Sequence, residues 1–200
     1  MKKVQDFYFK KAQKEGYPAR SVYKLEEAQN KYHFIKKGDR VLDLGCQPGS
    51  WAMYAAQVVG PGGLVVGVDL KKGLVNRKGK SAEIKILEGD INDEQTLDDV
   101  KMICETYSVL LSDMAPNTTG NKWADQQQSL ALSRRVFELA DLFLQKGGGF
   151  YCKVFEGEDF KEYVDEVRKH FNMTKVVKPK SSRKESREVF VLGLGFKGIF

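Results

Sequence analysis

Lys153, Asp113, Glu188 and Lys24 are charged residues set in apolar or amphipathic surroundings. Lys153 interrupts FYCKVF, otherwise the sequence of a buried strand; Asp113 closes SVLLSD, Glu188 opens EVFVLGLG, and Lys24 lies in the amphipathic SVYKLEEAQNKY. A charge in an apolar strand is costly to bury unless something pairs with it. Two lysines and two acids can satisfy one another, either as a structural ion-pair network or as a cluster for moving protons. Proton removal by a lysine is demanding chemistry, because an ordinary lysine (pKa ~10.4) is neutral in only about one molecule per thousand near pH 7.4. Burial and a neighbouring cation favour a neutral amine, and neighbouring carboxylates favour the ammonium. Geometry must decide between them, and these four residues meet only if the fold brings distant segments together.

The elements that would do so are legible from about residue 39 onward, where strand-like and helix-like stretches alternate as in a parallel α/β sheet. RVLDLG, GLVVGVDL, EIKILEGD, SVLLSDMAP and GFYCKVF are predicted strands. GSWAMYAAQVV, DEQTLDDVKMICETY, DQQQSLALSRRVFELADLFLQ and EDFKEYVDEVRKHF are predicted helices, the third stopped by Gly147, Gly148 and Gly149. MTKVVKP and EVFVLGLG follow as two strands around a basic loop, with the spacing of a hairpin-like edge. The expectation is a basic N-terminal arm over 1–19, flexible or ordered by a partner, and one domain over 20–200. Open sheets bind ligands outside the carboxyl ends of their strands. That rule gathers the segment Asp43 to Trp51, Asp69, Asp90 and Asp113 at one mouth, with Lys153 close by.

Composition narrows the class. A chain of 200 residues with 42% hydrophobic and 30% charged residues is globular, and its net charge of +6 favours polyanionic partners. Cys46, Cys104 and Cys152 form no C-x-x-C pair and are expected as reduced thiols in the cytoplasm. His33 and His170 are the only histidines, too few for a zinc site, so no metal is expected. No apolar run reaches the ~18 residues of a membrane span, and the start lacks the apolar core of a secretory signal.

The loop DLGCQPGSW follows the first strand. Gly45 and Gly49 let the backbone turn and approach a ligand, and Asp69, ending the second strand, stands where an acid binds nucleotide ribose hydroxyls. The lesser alternative for Asp69 is a solvated turn acid, and Trp51 reads as a ligand contact or a core anchor. The loop does not match G-x-G-x-x-G, and Pro48 removes an amide that a pyrophosphate would want. S-adenosylmethionine, which has no phosphate, suits it better than NAD.

DLGCQPGSW, GVDL, EGD, LLSDMAPN, YCKVF and SREVF, preceded by RSVYKLEE, occur in the order seen in the FtsJ/RrmJ family of ribose 2′-O-methyltransferases, which this chain resembles from about Arg20 to Leu192. The resemblance implies a Rossmann-like, S-adenosylmethionine-dependent methyltransferase fold: a mostly parallel seven-stranded sheet with a final antiparallel strand and helices on both faces. It implies a Lys-Asp-Lys-Glu tetrad at Lys24, Asp113, Lys153 and Glu188, with Lys153 as the base. It also implies cofactor contacts from Gly49, Trp51, Asp69, Asp90 and Asp113, to which the loop reading adds Asp43 and Gly45. The substrate implied is a uridine of large-subunit (23S-type) ribosomal RNA. Cys46, Gln47 and Ser50 depart from the small residues and paired glycines usual in that loop.

Three basic stretches flank the mouth: Lys2 to Arg20, Lys71 to Lys80, and Lys175 to Arg187. Each alone is a solvated charge run; together they suggest phosphate contacts, with Phe7, Tyr8 and Phe9 available to stack on unpaired bases. RNA, as ribosomal RNA or a large-subunit particle, is therefore the expected partner of a monomer. The alternatives are a tRNA ribose methyltransferase, a non-catalytic RNA-binding assembly factor, and an NAD-dependent oxidoreductase.

Overall fold

Runs rich in valine, leucine and isoleucine become central strands because both sheet faces are covered. In the computed structural model, residues 2–71, 73, 75, 79–183 and 185–198 are described, with side chains from Phe7 onward. Strands β1 (Arg40–Leu44), β2 (Leu64–Asp69), β3 (Glu83–Glu88), β4 (Tyr107–Ser112) and β5 (Leu144–Phe155) pair in parallel. Strand β7 (Glu188–Phe196) runs antiparallel between β5 and β6 (Phe171–Val177), giving the order β3-β2-β1-β4-β5-β7-β6. The expected seven-stranded sheet with its antiparallel strand is present; the hairpin partner at the sheet edge is β6.

Alternating side chains point to opposite faces. On one face Val41, Val65, Leu111, Tyr151 and Phe190 pack against helices α2 (Val22–Tyr32) and α3 (Ser50–Val59). On the other, Leu42, Val66, Leu110 and Phe150 meet α4 (Glu94–Ile103), α5 (Lys122–Phe143) and α6 (Phe160–His170). Strand β1 has β2 on one side and β4 on the other, so the chain changes direction there and opens a crevice at the strands' carboxyl ends.

Two boundaries differ from expectation, and the segment expected as a basic arm carries a helix. Its first residues form helix α1 (Lys2–Lys14); Ala12 is buried with Val22 and Tyr23, and Tyr8 packs on the Tyr23 ring. Helix α4 stops at Ile103, because fully buried Tyr107 belongs to the sheet and turns its hydroxyl to the Val100 carbonyl. Helix α5 ends at Phe143, and the triple glycine lies within β5, where Gly147 takes φ 83° and the pairing with β4 shifts register.

Parts of the basic stretches fall outside the described residues: Lys72, Arg77, Lys78, Lys184 and the side chains of Lys2 and Lys3. So do Ile199 and Phe200 of the C-terminal tail.

Candidate active site

Strand pairing places the first two members of the charged cluster. Glu188 pairs with Phe155 across the β5–β7 ladder, so Lys153, two residues along, shares its face as a diagonal neighbour. Asp113 follows the last residue of β4, the strand on the other side of β5. Lys24 comes from α2, which is fastened at several points. Trp51 Nε1 donates to the Ser21 carbonyl (2.8 Å), the Tyr151 hydroxyl to the Lys24 carbonyl (3.1 Å), and Glu27 accepts from the Lys180 and Ser181 amides (2.7 and 3.0 Å).

The four side chains converge. Asp113 Oδ1 lies 3.0 Å from Lys153 Nζ and 3.4 Å from Lys24 Nζ, and Glu188 Oε2 lies 2.7 Å from Lys24 Nζ and 4.0 Å from Lys153 Nζ. Lys153 also donates to the Asp113 main-chain carbonyl. Ser182 Oγ donates to the other Glu188 oxygen at 2.8 Å. Each acid is thus shared between two amines. Only 6% of the Lys153 side chain is exposed, against 18% for Asp113, so the aspartate is the open edge of the cluster.

That edge borders a cavity of about 470 Å³ at the strands' carboxyl ends, lined by Gly45, Gln47, Asp69, Asp90, Asp113 and, as apolar wall, Ile91, Met114 and Leu132. The volume is in the range of small-molecule sites. Asp69 is pinned by the backbone amides of Gln47 and Lys71 (3.1 Å each), and Asp90 Oδ1 accepts from the Asn92 amide and side chain (2.9 Å each). Gly45 adopts φ 75°, and a side-chain carbon there would fall 2.1 Å from Met114 Cγ. A larger groove, of about 630 Å³, opens between α1, α2 and the end of β6. It touches none of the strand-end acids, so the smaller cavity is the one joined to the cluster.

A family profile described as FtsJ-like methyltransferase matches residues 17–196. The chain belongs to the FtsJ-like methyltransferase family. The methyltransferase is 52% identical, over 98% of each chain, to a protein of Desulfotalea psychrophila named ribosomal RNA large subunit methyltransferase E. A Brachyspira hyodysenteriae protein of the same name is 47% identical over the whole of both chains. A solved Plasmodium falciparum structure described as a ribosomal RNA methyltransferase superposes with a TM-score of 0.77 at 26% identity, covering 91% of this chain and all of its own. The fold is also shared with Aeropyrum pernix fibrillarin, solved with natively bound S-adenosyl-L-methionine: TM-score 0.57, 17% identity, 87% of this chain and 76% of that one. The methyltransferase draws its methyl group from S-adenosyl-L-methionine.

Two of the expected contacts, Trp51 and Gly49, are not among the residues lining the cavity. Trp51 is turned into the core, 3% exposed and stacked on Tyr151 at 5.6 Å, because its N–H finds the Ser21 carbonyl there. It positions α2 and does not face the cavity. Gly49 caps α3 with φ 98°, and its absent side chain makes room for Val75, so its glycine serves the turn. Tyr8 packs on Tyr23, and Phe7 and Phe9 are exposed on α1. Conversely, nothing in the sequence pattern singled out Ser182 or the apolar wall of Ile91, Met114 and Leu132. The serine's position six residues before Glu188, in a loop that returns to the cluster, is the one available signal.

Asp43 is buried beside the cavity rather than lining it. Neither oxygen has a hydrogen-bond partner of good geometry among the described residues, although the Ala52 amide slightly favours the anion. Burial, with the charges of Asp113 and Asp69, pushes its carboxyl up to about 8. The unfolded chain releases that proton near the usual carboxylate value, so between about pH 4 and 8 the folded state binds more protons. Stability from this group is therefore greatest at the acid end, falls as pH rises through the window, and is level above it. Relative to Asp43→Asn, the wild-type protein is expected to lose up to about 1 kcal/mol per pH unit across that window, read from urea midpoints. A pH-independent difference would mean that the carboxylate is already ionised in the fold.

Proposed function

We propose that this chain methylates a ribose 2′-hydroxyl of large-subunit ribosomal RNA, with Lys153 as general base. The observation that carries the reading is the convergence of Lys24, Asp113, Lys153 and Glu188 within 4.0 Å at the edge of a cofactor-sized cavity. The cavity's donor set fits S-adenosylmethionine. Asp43 offers near it a buried carboxyl whose oxygens lack a well-formed hydrogen bond among the described residues, suited to an ammonium group; pinned Asp69 has lone pairs left for ribose hydroxyls, and Asp90 with Ile91, Met114 and Leu132 suits a purine. When bound, the cofactor supplies an electrophilic methyl group on a positively charged sulfur.

The protein's own groups do the rest. Asp113 and Glu188 fix the Lys153 amine so that its lone pair, once bare, faces the open edge where a 2′-hydroxyl would lie. The hydroxyl proton passes to Lys153 Nζ, and the resulting ammonium is received by carboxylates already at 3.0 and 4.0 Å. Lys24 holds both acids in place and adds a positive charge against the developing alkoxide. Such preorganised positioning, more than the proton transfer alone, is expected to supply much of the acceleration.

Ribosomal RNA is favoured over transfer RNA by the full-length relatives named for the large subunit, and the intact cluster disfavours a purely binding role. A uridine target follows from the same family resemblance. We further propose a cytoplasmic monomer: the three cysteines are free and buried, and no described helix is long and apolar enough to cross a membrane. The test is transfer of labelled methyl from S-adenosylmethionine to unmethylated large ribosomal subunits and, in parallel, to transfer RNA, followed by nuclease digestion. A 2′-O-methyl nucleoside from the subunits alone is expected. Label on a base, or on transfer RNA only, would overturn the assignment. Affinity for RNA is expected to fall steeply with salt, since Lys71 follows the Asp69 strand end, Arg187 precedes Glu188, and Lys178 donates to the Ser186 carbonyl in the same basic loop.

A further inference from the structure

Two tryptophans occur in the chain, and they have opposite environments: Trp51 is 3% exposed and Trp123 is 65% exposed. An indole left in water needs a reason when its backbone is so firmly held. Trp123 is the second residue of α5, and Asn121 Oδ1 caps that helix by accepting from the Trp123 and Ala124 amides at 3.1 and 3.2 Å. The loop before it, which leaves the cavity at Asp113, is tied down by Asp125. That carboxylate, covered by its own loop rather than by the core, accepts from Thr119 N (2.7 Å), Thr119 Oγ1 (3.0 Å) and Gly120 N (3.2 Å). These amides, Thr119's above all, hold its pKa below the usual carboxylate value.

The same corner is stitched to the reacting cluster. Arg187 Nη2 donates to the Lys122 carbonyl at 2.9 Å, and Arg187 immediately precedes Glu188. Trp123 therefore stands on a rigid ledge reached from Asp113 along one loop and from Glu188 through one guanidinium. Lys122 is exposed beside it, and Arg187 keeps further N–H groups for an anion. Two cations flanking an exposed aromatic ring are complementary to a phosphate-linked base, and less so to an apolar protein surface.

Resting on the RNA reading above, we propose that Trp123 is a stacking platform for an unpaired RNA base adjoining the methylated nucleotide, with Lys122 and Arg187 on the neighbouring phosphates. Presenting a 2′-hydroxyl to Lys153 requires a nucleotide drawn out of regular stacking, and an aromatic face replaces part of the stacking that is lost. Base–aromatic stacking is sequence-tolerant, so Trp123 would hold the strand without selecting its sequence.

The experiment follows Trp123 emission while wild-type protein is titrated with a single-stranded RNA oligonucleotide, Trp51 acting as the shielded internal reference. Quenching is expected, and Trp123→Ala should bind the oligonucleotide about 5- to 100-fold more weakly. Trp123→Phe should retain most of the affinity. With unmethylated large subunits, the alanine variant should show a raised KM and a nearly unchanged kcat, with S-adenosylmethionine affinity and melting temperature as in wild type. Unquenched emission on RNA binding, or an alanine variant that binds the oligonucleotide like wild type, overturns the proposal. An alanine variant impaired on subunits but not on free RNA also overturns it, in favour of contact with a ribosomal protein. If the wild-type enzyme itself places no methyl on ribose, the functional reading fails instead, and the two failures are thereby separate.

Discussion

Lys153→Ala is expected to lower methyl transfer by about 10²- to 10⁴-fold, the usual worth of a positioned general base, while S-adenosylmethionine still binds. The fold should survive, because Lys24 remains within 3.4 Å of both Asp113 and Glu188 and neither acid is left without a cation. Lys153→Arg is the sharper companion. A guanidinium keeps the positive charge between the two carboxylates but does not give up a proton in proteins. If the cluster merely balances charge, the arginine variant should work; if Lys153 removes a proton, it should be as inactive as alanine. Single-turnover transfer to unmethylated subunits, with cofactor binding measured separately, decides between them. Arginine activity near wild type would leave Lys153 a structural partner and return the base role to another group.

The cluster was legible because its members are local anomalies. Lys153 breaks an apolar run, and Asp113 and Glu188 mark strand ends, features that no packing argument requires. The sheet was equally open to reading, since residues buried on both faces leave long apolar strands between helical periods. What the sequence concealed depends on tertiary partners. The direction of the Trp51 ring is set by a carbonyl at Ser21, thirty positions away in the chain. The apolar cavity wall of Ile91, Met114 and Leu132 is built from three separate segments, each unremarkable alone. Helix α1 was masked by its lysines. Its anchoring face, Tyr8 and Ala12 at helical spacing, is short, and it gains its stability from Tyr23 rather than from the segment itself. Strand β5 was hidden by its glycines, which signal a helix stop but here begin a strand with a shifted register.

Asp113→Ala is expected to fall to about the same floor as Lys153→Ala, for a different reason. Asp113 Oδ1 lies within 3.4 Å of both amines, and the same residue lines the cofactor cavity. Without it, Lys153 keeps the Asp113 backbone carbonyl and a carboxylate 4.0 Å away, and the amine loses its fixed direction. Stability should drop by about 1–3 kcal/mol, because a buried charge loses its nearest partner. Cofactor affinity should weaken as well, whereas Lys153→Ala leaves it intact. The double variant separates direction-setting from cofactor holding. Groups that act as one constellation are strongly non-additive, since a device disabled once cannot be disabled again. At saturating S-adenosylmethionine, the Lys153→Ala, Asp113→Ala protein should therefore transfer methyl groups no more slowly than Lys153→Ala alone. Multiplication of the two losses under those conditions would show Asp113 acting on the reaction independently of the lysine, which the shared 3.0 Å contact does not allow.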